Sequence, residues 1–388
     1  MKERLTRVAT IDVFRALTMF FMLFVNDVSS VKNIPHWIGH AASNEDMLGF
    51  ADTIFPLFIF AMGMSIPFAI LNREKRGDSS FKIGVHIILR TVALLVMGLF
   101  LVNMESYDWG GAIIPYRWFM IMLVAALFML WNDYPRIEGK KRHIFTALKV
   151  AGVALLCVLF HYYRGAEGAP FSKHWWGILG LIGWSYLVTA VVFSLVRDRL
   201  IPMTIAWIAM IAASLLTHAH IVNLSAIPSD MTLHALGVSG AFTSVLLMRI
   251  GDKEKPARFI GTMLALGTVM LVLMTVVHPH WIISKIRATP TWLFACNAIA
   301  FTLVGILYYI TDVRGKKAWF NFIKPAGIAT LTCYMVPYLW YAIQGLLHWH
   351  YPEVCTSGIG GIIKSLLFSL AAVWIAGGLS KAHIRLKI

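Results

Sequence analysis

Apolar segments of about twenty residues recur along the whole chain, joined by short polar connections. A stretch of that length and character is what a helix needs to cross a bilayer. Twelve segments qualify, at roughly 11–30, 51–72, 83–104, 114–131, 145–163, 175–196, 200–218, 234–250, 259–279, 290–312, 325–347 and 359–380. The eighth is short and rich in Gly, Ser and Thr, and a dip rather than a crossing there would make eleven. Hydrophobic residues are 59% of the 388 and charged residues 14%, a balance outside the range of soluble globular domains. The expected fold is therefore all-α: a polytopic integral membrane helical bundle embedded in a lipid bilayer. No connection exceeds about twenty residues, so a second soluble domain has no room. The whole chain, 1–388, reads as a single transmembrane domain, with the motif-bearing helices in 1–131 and the remaining bundle in 132–388.

The net charge of +15 does not indicate nucleic acid, because the basic residues cluster between the apolar segments. With the N-terminus placed inside, 24 of the 34 Lys and Arg fall in the inner connections and five in the outer ones. That asymmetry is the orientation signal of membrane proteins. It predicts both termini in the cytoplasm and the loop at 31–50 outside, which for an inner (cytoplasmic) membrane is the periplasmic side. The start, MKERLTR, resembles the basic end of a signal peptide. Asp12 and Arg15 interrupt the apolar run behind it and no small-residue cleavage site follows, so it reads as a retained first helix. Lys149 and Lys364 lie about a turn from a membrane face and read as snorkelling side chains. Cys157, Cys296 and Cys333 fall inside apolar segments and Cys355 in a loop, which is no disulfide framework.

Polar residues concentrate between Phe24 and Pro56, which hold Asn26, Asp27, His36, His40, Glu45, Asp46 and Asp52. Each has an ordinary explanation. Asn26 and Asp27 can close a helix, a loop histidine can be solvated, and Asp52 is favoured where a helix begins. Together they set an amide, an imidazole and a carboxylate at one membrane face, the set that acid–base chemistry on a polar substrate requires. Asp12 and Arg15, three residues apart, share a helix face. They read either as a mutual ion pair or, for Arg15, as a phosphate ligand open to the cytoplasm. Arg117 begins the fourth segment and must face protein or water. Eleven of the 14 histidines fall on the outer side, including His-x-His pairs at 218/220, 278/280 and 348/350. That spacing does not bring both rings to one helical face, so no metal site is expected, and a polar vestibule is the better reading.

Four stretches resemble the transmembrane acyltransferase family typified by heparan-α-glucosaminide N-acetyltransferase. IDVFRALTMFFMLFVN is similar to its first helix, with Asp12, Arg15 and Asn26 in matching places. HAASNEDMLGFADTIFPLFIFAMGMSI is similar to its His-containing loop and Ala-Asp-x-x-Phe-Pro second helix. LRTVALLVMGLFLVN, with Arg90, and IPYRWFMIMLVAAL, with Arg117, are similar to its third and fourth. A divergent stretch around His234 is similar to one in the middle of the family. The resemblance implies acetyl transfer from cytoplasmic acetyl-CoA, the donor substrate, to the amine of an amino-sugar acceptor on the far side, without a metal, by a protein that forms a homodimer. His40 then becomes the general base or acetyl acceptor, and Asn26 the donor to the developing oxyanion. Asp52 or Asp27 orients the imidazole. Arg15, Asp12 and Arg117 are the candidates for acetyl-CoA binding, and Asp27, His36 and His234 for acceptor binding. A secondary transporter of an N-acetylated amino sugar is the alternative, since twelve helices with both ends inside suit that class too. Acetyl-CoA would raise the thermal stability of the enzyme and not of the carrier.

Overall fold

The computed structural model describes residues 8–135, 140–224 and 228–388. The basic residues Lys2, Arg4, Arg7 and Arg136, used above to orient the chain, lie outside the described residues, as does the retained-helix reading of residues 1–7. Among the described residues the protein is all helical, with no β-strand. The helices are α1 (Ala9–Val28), α2 (Phe50–Lys75), α3 (Ser80–Asn103), α4 (Tyr116–Trp131), α5 (Lys140–His161), α6 (Ile178–Val196), α7 (Leu200–His218), α8 (Thr232–Ile250), α9 (Pro256–Val277), α10 (Pro290–Tyr308), α11 (Lys324–Ile328), α12 (Thr330–Leu346) and α13 (Gly358–Lys381). Eleven of the twelve apolar segments each correspond to one helix, and the remaining one, 325–347, is broken at Ala329 into α11 and α12. Ten of the helices are long and apolar enough to cross a bilayer, while α4 and α12 have 16 and 17 residues.

The segment that reads as the weakest spanning candidate lies at the centre of the bundle. Within its most apolar window α8 is 94% buried, against 17% for α5 and α9. Its small residues explain the position. A Cβ on Gly240 would fall 2.1 Å from the Phe60 carbonyl oxygen, and one on Gly63 of α2 would fall 2.0 Å from that of Gly237. The two backbones approach as closely as only small residues permit, and Ser244 Oγ donates to the Met64 carbonyl at 2.7 Å. The faces turned away from this core are apolar as well: Ile201, Ile205 and Ile208 of α7, and Val269, Val272 and Val276 of α9, are exposed. A contiguous apolar exterior of this kind is stable against hydrocarbon, not water.

Two buried carboxylates at the ends of α1 are matched by donors. Asp312, just past α10, accepts from the Ala9 and Thr10 amides at 3.2 and 2.8 Å and from the Thr10 hydroxyl at 2.7 Å. A carboxylate there satisfies amides that the first turn of α1 cannot pair internally and favours the helix dipole. At the other end of α1, Asp27 is buried and takes hydrogen bonds from Tyr341 Oη at 2.6 Å and Lys364 Nζ at 2.5 Å. Lys364 therefore does not snorkel: it turns inward to neutralise a buried carboxylate, fastening α13 and α12 to α1.

Candidate functional site

The loop after α1 returns to the bundle at the start of α2, and Asp52 organises the junction. Asp52 stands in the first turn of α2, where its side chain reaches back to the amide of Gly49 at 3.3 Å, a reciprocal cap for an unpaired donor. The same oxygen, Oδ2, accepts from the Ala41 amide at 2.9 Å. The other, Oδ1, lies 2.7 Å from His40 Nδ1. Gly49 makes the fold-back possible, because a Cβ there would lie 2.2 Å from the Gly39 carbonyl oxygen. The Asp52 side chain is 2% exposed and that of His40 39%, so a buried carboxylate holds an accessible imidazole. Pro56 adds a further constraint. Lacking an N–H, it cannot pair with the Asp52 carbonyl one turn back; the Trp292 indole N–H donates to that oxygen instead, at 3.1 Å.

Trp292 belongs to the first turn of α10, and the loop ahead of it brings a third group to the site. Lys285 Nζ lies 3.2 Å from His40 Nδ1, 3.5 Å from His40 Nε2 and 4.0 Å from Asp52 Oδ1. Burial pushes the Lys285 ammonium below the usual lysine range, and the Asp52 charge opposes that shift. The loop is tied to its partner by Asp46, which accepts from the Ile283 amide and meets His278 Nε2, both at 2.8 Å. Glu45 meets His36 Nε2 at 2.5 Å, and that hydrogen bond holds the Glu45 carboxyl below the usual carboxylate range. Glu45 and Asp46 are therefore structural ties of the loop.

A separate basic cavity of about 270 Å³ lies between α1, α2, α3, α6 and the chain end. Arg15, Arg73, His86, Arg90 and Lys387 line it together with Met19, Met22, Phe58 and Met62. Arg15 is paired with Asp12 at 3.1 Å and reaches Ser65 Oγ at 3.4 Å. The Arg90 guanidinium lies 4.8 Å over the Tyr186 ring, while its Nε is buried with no hydrogen-bond partner among the described residues. Arg15, Met19 and Met22 are spaced four and three apart, and Asn26 continues the same stripe four residues on, about 16 Å along the axis from Arg15. Asn26 is exposed, with its amide hydrogen-bonded to none of the described residues.

The sequence-predicted residues thus separate into groups. His40 and Asp52 are brought together. Asn26 stands at the same end of α1, above the cavity stripe, and is not hydrogen-bonded to His40. Asp27 does not orient His40, since both its oxygens are engaged by Tyr341 and Lys364. Arg15 lines the cavity and Asp12 pairs with it, but Arg117 is not in the lining; it lies against Gly345, where a Cβ would come within 2.4 Å of its Nε. His36 is exposed and bound to Glu45. His234 is buried in the first turn of α8, with Nε2 donating to the Pro228 carbonyl at 3.1 Å. Two of the His-x-His pairs send His218, His220 and His280 to one polar hollow. No group of three or more metal-ligating side chains is found among the described residues. Sequence reasoning missed Lys285, Trp292, Arg73 and His86. Of these only Arg73, in the basic last turn of α2, lay near a feature that invited attention.

Comparison with known proteins fits this arrangement. Over 129 residues, 33% of this chain and 18% of the relative, the chain is 34% identical to human (Homo sapiens) heparan-alpha-glucosaminide N-acetyltransferase. Over 364 residues, 85% of this chain and 53% of the relative, it is 23% identical to the mouse (Mus musculus) protein of the same name. The chain spans about half the length of the mouse relative. Residues 7–228 match the family described as "Domain of unknown function (DUF5009)". That match takes in α1 to α7 with the His40–Asp52 pair and most of the basic cavity, and the chain belongs to this family.

Proposed function

We propose that the protein is a membrane N-acetyltransferase that moves an acetyl group from acetyl-CoA to the amine of an amino sugar across the bundle. The observation that carries this reading is the accessible His40 imidazole fixed at 2.7 Å to a buried carboxylate, at one end of α1 and α2. A basic cavity opens along the same two helices toward their other end. The cavity follows α2 from Phe58 to Arg73, about 22 Å by helix rise. That shape and charge suit an elongated donor whose phosphates meet Arg15, Arg73 and Arg90 and whose acyl end points toward Asn26. Under this reading the arginine end faces the cytoplasm and the loop at 31–50 the opposite compartment, so donor and acceptor enter from different sides.

The chemistry follows from the hydrogen bonds. Asp52 Oδ1 accepts a hydrogen bond from the Nδ1–H of a neutral His40, which leaves the Nε2 lone pair as the base. As the acceptor amine attacks the thioester carbon, Nε2 takes its proton; the C–N bond forms, the C–S bond breaks, and the imidazolium returns the proton to the departing thiolate. The Asn26 amide donates to the carbonyl oxygen while it carries negative charge. Transfer in two steps through an acetylated Nε2 uses the same groups. The test is acetyl transfer from acetyl-CoA to glucosamine acceptors by the purified protein. His40→Ala is expected to lower the rate by about 10²–10⁴-fold, and full activity in that variant would overturn the reading.

A further inference from the structure

Asp52 is buried, and a buried carboxylate requires a cationic partner or a full set of donors. His40 is its nearest titratable neighbour, and alone with Asp52 it would be drawn into the imidazolium form, in which Nε2 has no lone pair to offer. Of the other titratable and charged groups in the surrounding loops, His36 is paired with Glu45 and His278 with Asp46, while Arg287 and His280 line the hollow that holds His218. The buried Cys296 of α10 is close enough to interact with both Asp52 and Lys285. Lys285 is the remaining cation, 4.0 Å from Asp52 Oδ1. Its nearly equal distances of 3.2 and 3.5 Å to the two ring nitrogens are not those of a hydrogen bond directed at the Nε2 lone pair, so it acts on the ring chiefly through its charge. That charge opposes protonation of the imidazole while balancing the carboxylate behind it.

We propose that Lys285 is the counter-ion of Asp52 and thereby a positioning residue that keeps His40 neutral and able to accept a proton. The inference deepens the acetyl-transfer reading and rests on it for its kinetic arm alone. Removing the Lys285 charge leaves His40 as the one group among the described residues that can pair with Asp52 as a cation, which favours the imidazolium and moves its titration to higher pH. Carbethoxylation of His40 by diethyl pyrocarbonate, followed by peptide mass spectrometry across pH, reports the neutral imidazole without requiring catalysis. In Lys285→Met the midpoint is expected to rise by about one pH unit or more, and the acid limb of kcat/KM for acetyl transfer to rise with it. Lys285→Arg keeps the charge and is expected to hold both near wild type; Lys285→Gln repeats the test with a polar side chain should the Met variant fold poorly. An unmoved midpoint in both neutral variants, or an equal shift in Lys285→Arg, overturns the proposal. A purely structural role lowers the rate without moving the midpoint. If the wild-type protein transfers no acetyl group, the acetyl-transfer reading fails while the carbethoxylation midpoint still decides the charge link.

Discussion

The two oxygens of the Asp52 carboxylate have different tasks. Oδ2 closes the loop by accepting from the Ala41 and Gly49 amides, and Oδ1 faces His40. An Asp52→Asn substitution separates these tasks, because the amide oxygen can still accept from the backbone while its NH₂ turns to the ring. A donor opposite Nδ1 selects the tautomer that carries its proton on Nε2, where the lone pair is needed. The expected outcome is a folded protein whose kcat for acetyl transfer falls by about 10²–10⁴-fold. Steady-state rates beside a thermal unfolding curve check it; a variant that unfolds like wild type and keeps more than about a tenth of the activity removes the orienting role. At this scale the sequence named His40 with Asp52 or Asp27 as its partner, but it did not pair His36 with Glu45, which is also near in the chain. His40 and Asp52 are twelve residues apart and were found. Lys285 is 245 residues from His40, and nothing in its local sequence distinguishes it from an ordinary loop lysine.

The α2–α8 pair shows what hydropathy reads and what it misses. Segment length alone located the helices, because a bilayer demands about twenty apolar residues whatever their packing. Which helix lies at the centre depends on shape. Gly, Ser and Thr lowered the apolar score of α8 and made it the weakest candidate to span, yet Gly240 of α8 and Gly63 of α2 are what let the two helices touch. Since Asp52 stands in the first turn of α2, this packing also seats the site. Adding one methyl at Gly240 puts Cβ 2.1 Å from a backbone oxygen and 2.8 Å from the Met64 amide nitrogen, neither of which can rotate away. Gly240→Ala is expected to destabilise by about 1–3 kcal/mol. Gly261, in α9, has open space around its Cβ position, and Gly261→Ala is expected to be neutral or to stabilise by up to about 1 kcal/mol through helix propensity. Unfolding in detergent, compared for the two variants, checks the contrast in sign.

Across the whole molecule the reading depends on two ends of the bundle lying in different compartments. The helix that joins them sets the distance: α2 has 26 residues and is about 39 Å long, more than a hydrocarbon core of about 30 Å. Residues just beyond its two ends therefore stand on opposite sides of any membrane it crosses. Trp37, before α2, is 62% exposed, and Arg76, immediately after it, is exposed as well. The proposed orientation puts Trp37 outside and Arg76 inside, so that the arginine end of the basic cavity opens toward the cytoplasmic pool of acyl-CoA. Single-cysteine variants test this directly once Cys157, Cys296, Cys333 and Cys355 are replaced by Ser. In intact cells a membrane-impermeant maleimide is expected to label Trp37→Cys, and to label Arg76→Cys only after permeabilisation. The reverse pattern would move His40 to the cytoplasmic side and remove the reason for a spanning acetyltransferase, because donor and acceptor would then share one compartment. Labelling of both positions in intact cells would show that α2 does not cross the membrane, and with it would fall the transmembrane path from the arginine cavity to His40.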